Sequence, residues 1–118
     1  LPMTLIAYAF AVVLVAAGIY HFVNPRFYYS IIPHWMPKAA ANAAGGLAEI
    51  VIGLAMLWPA TRVYGLYAAA ALMILFLPIH VVDLQRPRPV IGSKAVAAGR
   101  LLLQFVLIGW LYWEARRA

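Results

Sequence analysis

Four apolar runs, Met3–Phe22, Ala41–Trp58, Tyr64–Val82 and Ala95–Trp113, each approach the ~20 residues that an α-helix needs to cross a hydrocarbon core about 30 Å thick. They occupy most of a 118-residue chain, and its 67% hydrophobic content and mean hydropathy of +0.92 leave too little polar surface for a soluble globule. A β-barrel is disfavoured, because the runs lack the two-residue alternation of lipid-facing and lumen-facing positions. The expected fold is all-α: a single transmembrane domain over residues 1–118, an integral membrane four-helix bundle with spans near 3–22, 41–58, 64–82 and 95–113. The first run has no basic segment before it and continues into a patterned loop, so it reads as a retained span rather than a secretory signal.

Between the first two spans lies segment 25–37. Asn24-Pro25 both ends a helix and suits the start of another, with Asn24 as a cap and Pro25 at the first position. A short interfacial helix ending at Pro33 is expected, with Phe27, Tyr28 and Trp35 at headgroup level, either as an aromatic belt or as a lid. The link Pro59-Ala60-Thr61-Arg62 closes a helical hairpin with Thr61 as cap, and Pro78 predicts a kink that frees a backbone carbonyl. Four spans place both termini on one side. The opposite side carries Arg26, Lys38, Arg86, Arg88 and Lys94 against Arg62, Arg116 and Arg117, which favours a cytoplasmic location for the loops.

A formal net charge of +6 does not point to nucleic acid, because the nine basic residues form no continuous stripe; anionic lipid headgroups suit them better. Absence of cysteine removes disulfides, thiol redox relays and thiolate metal sites. No nucleophile with a base at motif spacing, no Gly-rich phosphate loop and no paired carboxylates are present, so enzyme chemistry has no support in the residues.

One carboxylate, Glu49, lies within the apolar runs. Ionisable groups in lipid are costly, face the bundle interior and mark functional sites by default. At about 1.5 Å of rise per residue, Glu49 lies roughly 10 Å beyond Asn42, Arg100 roughly 9 Å beyond Lys94, and His21 and His80 each roughly 4.5 Å from Asn24 and Asp83. All four therefore fall at similar height, with Gln104 sharing the face of Arg100 and Asp83 and Gln85 toward the mouth. The expected arrangement is a Glu49–Arg100 ion pair, with Gln104 satisfying a remaining carboxylate lone pair. Two readings of it stand: a structural pair fixing helix register, or the floor of a cavity for an amphipathic ligand. His21 and His80 also raise bis-histidine haem ligation, or a metal site with Glu49. Both histidines lie near helix ends, however, where a capping role is commoner, and no clustered ligand spacing supports a metal.

Read in order, Gly18-Ile19-Tyr20-His21-Phe22, Pro25, Phe27-Tyr28, Ile32-Pro33, Met36-Pro37, Gly46-Leu47-Ala48-Glu49-Ile50, Gly53, Pro59-Ala60-Thr61-Arg62 and Arg100-Leu101-Leu102-Leu103-Gln104, with Trp110 and Tyr112-Trp113 after them, resemble the DoxX family of small membrane proteins, in its DoxX-like branch. The similarity covers essentially the whole chain. Relatives typically carry Pro-Ala-Asn where this chain has Leu77-Pro78-Ile79-His80, so His80 departs from the pattern. The resemblance implies a four-helix bacterial inner-membrane protein with His21, Pro25, Glu49, Arg100 and Gln104 as its pattern residues.

It also implies two classes of role. Name-giving relatives are subunits of a thiosulfate:quinone oxidoreductase, whereas a more distant animal branch resembles a chaperone for acetylcholine-receptor assembly. The first expectation is a non-catalytic protein holding a quinone or lipid among Glu49, Arg100, Gln104, His21 and His80, in support of a membrane redox system. The alternative is an assembly factor that meets a membrane-protein partner through Phe27, Tyr28 and Trp35. Small residues around Gly45, Gly46 and Gly53 also allow a homo-dimer.

Overall fold

A computed structural model describes all residues, 1–118. It is helical throughout, with α1 (Leu5–Val23), α2 (Pro25–Tyr29), α3 (Lys38–Leu57), α4 (Arg62–Leu75), α5 (Leu77–Gln85) and α6 (Lys94–Arg117). A single 3-10 turn, Pro59–Thr61, joins α3 to α4. Four helical stretches, with α4 and α5 forming one, are long and apolar enough to cross a membrane, and α2 is the short helix between the first and second. Outward-facing Leu5, Leu75 and Leu102 are 85%, 71% and 66% exposed, which suits a lipid surround and would be a liability in water. This is the architecture of an integral membrane protein.

Local chemistry accounts for most boundaries. The Thr4 hydroxyl accepts from Ala7 N–H at 3.3 Å and the Ser93 hydroxyl from Val96 N–H at 3.2 Å, capping α1 and α6. Pro25 takes the first position of α2, but Asn24 forms no side-chain cap and donates instead to the Tyr20 hydroxyl at 3.0 Å. Thr61 likewise does not cap α4. Its hydroxyl donates to Ala55 O at 2.8 Å, and Arg62 donates to Met56 O and Leu57 O, both at 2.9 Å, so the link serves the open carbonyls ending α3. The third span breaks at Phe76, one turn earlier than His80. Pro78 sits in the first turn of α5, where its missing N–H and ring prevent α4 from continuing unbroken.

Helix α1 packs along α3, α3 along α4, and α6 along both α4 and α5. The apolar core, including Ala7, Ala11, Met56, Leu66 and Leu111, fills the half of the bundle nearest the chain ends. That half also hides a polar knot: Glu114, fully buried, accepts from the Thr4 hydroxyl at 2.6 Å and lies 3.4 Å from Arg117 Nη1, joining α6 to the start of α1. In sequence Glu114 belongs to a charged tail beyond the fourth apolar run, so this burial is a tertiary effect. The opposite half, beneath α2 and the turns that follow it, holds the cavity described next.

Candidate functional site

A cavity of about 970 Å³ lies between α1, α3, α4, α5 and α6 and is covered by the 25–37 segment. Its size falls near the upper end of the ~300–1,000 Å³ of small-molecule sites, and its walls are mainly apolar with a few convergent polar groups. Those polar groups include His21, Asn42, Glu49, His80 and Arg100, with Ser30 on the covering segment.

The polar wall starts from α3. Asn42 and Glu49 are seven residues apart, two turns of one helix, so both face α1. The Asn42 amide donates from Nδ2 to His21 O at 2.9 Å, which orients its Oδ1 toward His21 Nδ1, 2.7 Å away. An amide oxygen only accepts, so Nδ1 carries a proton and the imidazole is locked in one tautomer. The other ring nitrogen, Nε2, then faces Glu49 Oε2 at 3.4 Å. Both atoms are buried and neither has a hydrogen-bond partner. On its face the His21 ring stacks on Tyr28, with centroids 3.5 Å apart and planes 12° apart. Burial, with Glu49 and Tyr20 close by, pushes the Tyr28 phenol above its ordinary pKa; it stays protonated and donates to Ala17 O at 3.3 Å.

The expected Glu49–Arg100 pair is not formed. Glu49 faces His21 instead, while Arg100 Nη1 donates to Gln104 Oε1 at 2.7 Å. Gln104 does not serve the Glu49 carboxylate either. It is fully buried behind Arg100, outside the cavity lining, and its Nε2 donates to Met73 O at 2.8 Å, in the turn just before the break at Phe76. Gln104 thus supports the turn before the break, one residue ahead of Ile74, whose carbonyl is the one that Pro78 frees. His80 lines the cavity from α5 and makes no side-chain hydrogen bond within the protein.

Other expectations are redistributed. Asp83 does not stand at the mouth: it is 1% exposed and accepts from Arg86 Nη1 at 2.8 Å, Val90 N–H at 2.7 Å and Ile91 N–H at 3.3 Å, which fastens the loop between α5 and α6. Phe27 and Trp35 remain largely exposed at 61% and 66% on the cavity rim, whereas Tyr28 belongs to the wall through His21. Lys38 Nζ donates to Tyr29 O at 2.6 Å and Ile32 O at 3.3 Å, tying the covering segment to α3. No three His, Cys, Asp or Glu residues gather at metal-binding distances.

Asn42 is the site residue that sequence reasoning missed. Its two-turn spacing from Glu49 was the available signal. Replacing it with leucine is expected to release the tautomer: nitrogen-15 NMR of the His21 ring should move from a single Nδ1-protonated species to a mixture. Stability should fall by about 1–3 kcal/mol, the usual cost of orphaning buried polar groups.

A family model described as "Domain of unknown function (DUF8561)" matches residues 10–115. No curated protein and no solved structure matches the chain.

Proposed function

The chain belongs to the DUF8561 family, and from its site geometry we propose that it is a non-catalytic membrane protein that holds a quinone-like or lipid-like amphipathic molecule in the inter-helix cavity. The observation that carries this reading is the buried His21–Glu49 pair, whose facing Nε2 and Oε2 have no hydrogen-bond partner and stand at the wall of an otherwise apolar cavity. Groups of this kind are normally satisfied, and with Nδ1 holding the ring proton both atoms are acceptors, so a ligand hydroxyl placed there would supply the missing donor. Apolar walls from α4 and α5, including Leu72, Phe76 and Ile79, suit an aliphatic tail. The DoxX-like residue pattern adds a setting, support of a redox system in a bacterial inner membrane, with both chain ends on one side.

Native mass spectrometry of protein released from mild detergent tests the reading. Wild type should retain a small-molecule adduct, and Glu49→Gln and Gly45→Leu should both lose it. Gly45 is suited to blocking, since a Cβ there would meet only His21 and Phe76 at 3.8 Å or more, leaving the rest of a leucine to enter the cavity. Full adduct retention by both folded variants would reject the proposal.

The exposure of Phe27 and Trp35 favours a second reading, an assembly factor that docks a membrane-protein partner through this rim. Under it, an adduct-free wild type would carry a co-purifying membrane protein that Phe27→Ser with Trp35→Ser releases.

A further inference from the structure

The chain contains only three carboxylates, and none of them meets Arg100: Glu49 faces His21, Asp83 pairs with Arg86 and Glu114 with Arg117. Arg100 pairs with none of them. Its one hydrogen bond goes to the neutral Gln104, although a guanidinium has five N–H donors, and the side chain is half-buried in the lining of the cavity. A cation at this depth in a membrane span is costly unless it meets an opposite charge.

Snorkelling to bulk headgroups would ordinarily relieve it, and a helical side chain already leans toward its helix N-terminus, here the Lys94 end. The bond to Gln104, one turn further along α6, turns the guanidinium the other way, toward the interior. The buried Gln104 is in turn anchored on Met73 O, so this orientation is held from behind.

Resting on the cavity reading above, we infer that the ligand is an acyl-chain anion whose carboxylate or phosphate head is the missing counter-ion of Arg100. A planar fork of donors matches both heads, and the apolar wall beside it takes the chain. A neutral amphiphile would leave the charge unmet.

Delipidated protein in a neutral detergent would be titrated with radiolabelled palmitate, hexadecyl phosphate, hexadecanol and a short-chain ubiquinone. Saturable binding of palmitate or hexadecyl phosphate is expected, with hexadecanol at least about tenfold weaker, and the preferred anion identifies a fatty-acid or a phosphate-headed ligand. Arg100→Gln should weaken the anions about tenfold to a hundredfold, the range for losing charged hydrogen bonds, and leave hexadecanol unchanged. Because Arg100→Gln could disturb folding, Arg100→Lys provides a second variant; it keeps the charge and should retain most of the phosphate binding. Equal binding of hexadecanol and palmitate, or palmitate binding indifferent to both substitutions, would overturn the inference. If such binding is still abolished by Gly45→Leu, the cavity reading survives without the anion. Failure of all four probes to bind would sink both.

Discussion

Asp83→Ala is expected to lower stability by about 2–4 kcal/mol, because it removes a buried acceptor from two backbone donors and an arginine at once. Val90 and Ile91 N–H would lose their partner, and Arg86, which also reaches Ile31 O at 3.4 Å, would lose the anchor that holds it between the two loops. Thermal unfolding in detergent, followed by circular dichroism, measures the loss; limited proteolysis should show earlier cleavage within residues 86–93. Asp83→Asn keeps one acceptor of nearly the same shape and is expected to cost roughly half as much. An unchanged melting curve for Asp83→Ala would refute this account of the loop.

Gly46→Leu is expected to be equally damaging by another route. At Gly46 a Cβ would lie 2.7 Å from His21 Cβ and 3.0 Å from Gly18 O, and at Gly18 one would lie 2.6 Å from Gly46 O. Two helices that touch backbone to backbone cannot yield as flexible side chains do, so α1 must move off α3. A cost of about 3 kcal/mol or more is expected, at the upper end for overpacking. The displacement carries His21 away from Asn42 and Glu49, so ligand retention should fall with stability. Gly99→Leu is the control: a Cβ there meets nothing within 4 Å, and its stability should change by no more than about 0.5 kcal/mol. Equal melting temperatures for the Gly46 and Gly99 variants would contradict the close-approach argument.

The His21–Glu49 pair shows how far residue spacing reaches. Rise per residue is a property of every helix, so the similar depth of His21, Glu49, His80 and Arg100 was legible before any coordinates, and all four do line one cavity. Which of them touch is a matter of helix rotation and neighbour order, and these arise from packing. Because α1 rather than α6 lies along α3, with glycine against glycine, Glu49 meets an imidazole and not the guanidinium that charge alone would select.

Proline chemistry was similarly half legible. Pro78 announces a break because it lacks an N–H, yet the group that steadies the turn before it, Gln104, comes from another helix, and spacing alone assigns it to Glu49. Asp83 and Glu114 mark the same boundary: each stands near a helix end beside an arginine, a pattern that ordinarily means a solvated surface pair. Only the return of the 86–93 loop over Asp83, and of the first residues of the chain over Glu114, buries them.

By itself the sequence determined the four apolar helices, the short helix after Asn24-Pro25, the break near Pro78 and the height of the polar residues, because each follows from local backbone chemistry or from transfer of side chains into lipid. Only the tertiary structure decided who pairs with whom: His21 with Asn42 and Glu49, Gln104 with Arg100 and Met73, and Arg100 left with no carboxylate at all. Those pairings depend on the angle at which each helix presents its side chains, and that angle is set by contacts between residues far apart in the chain.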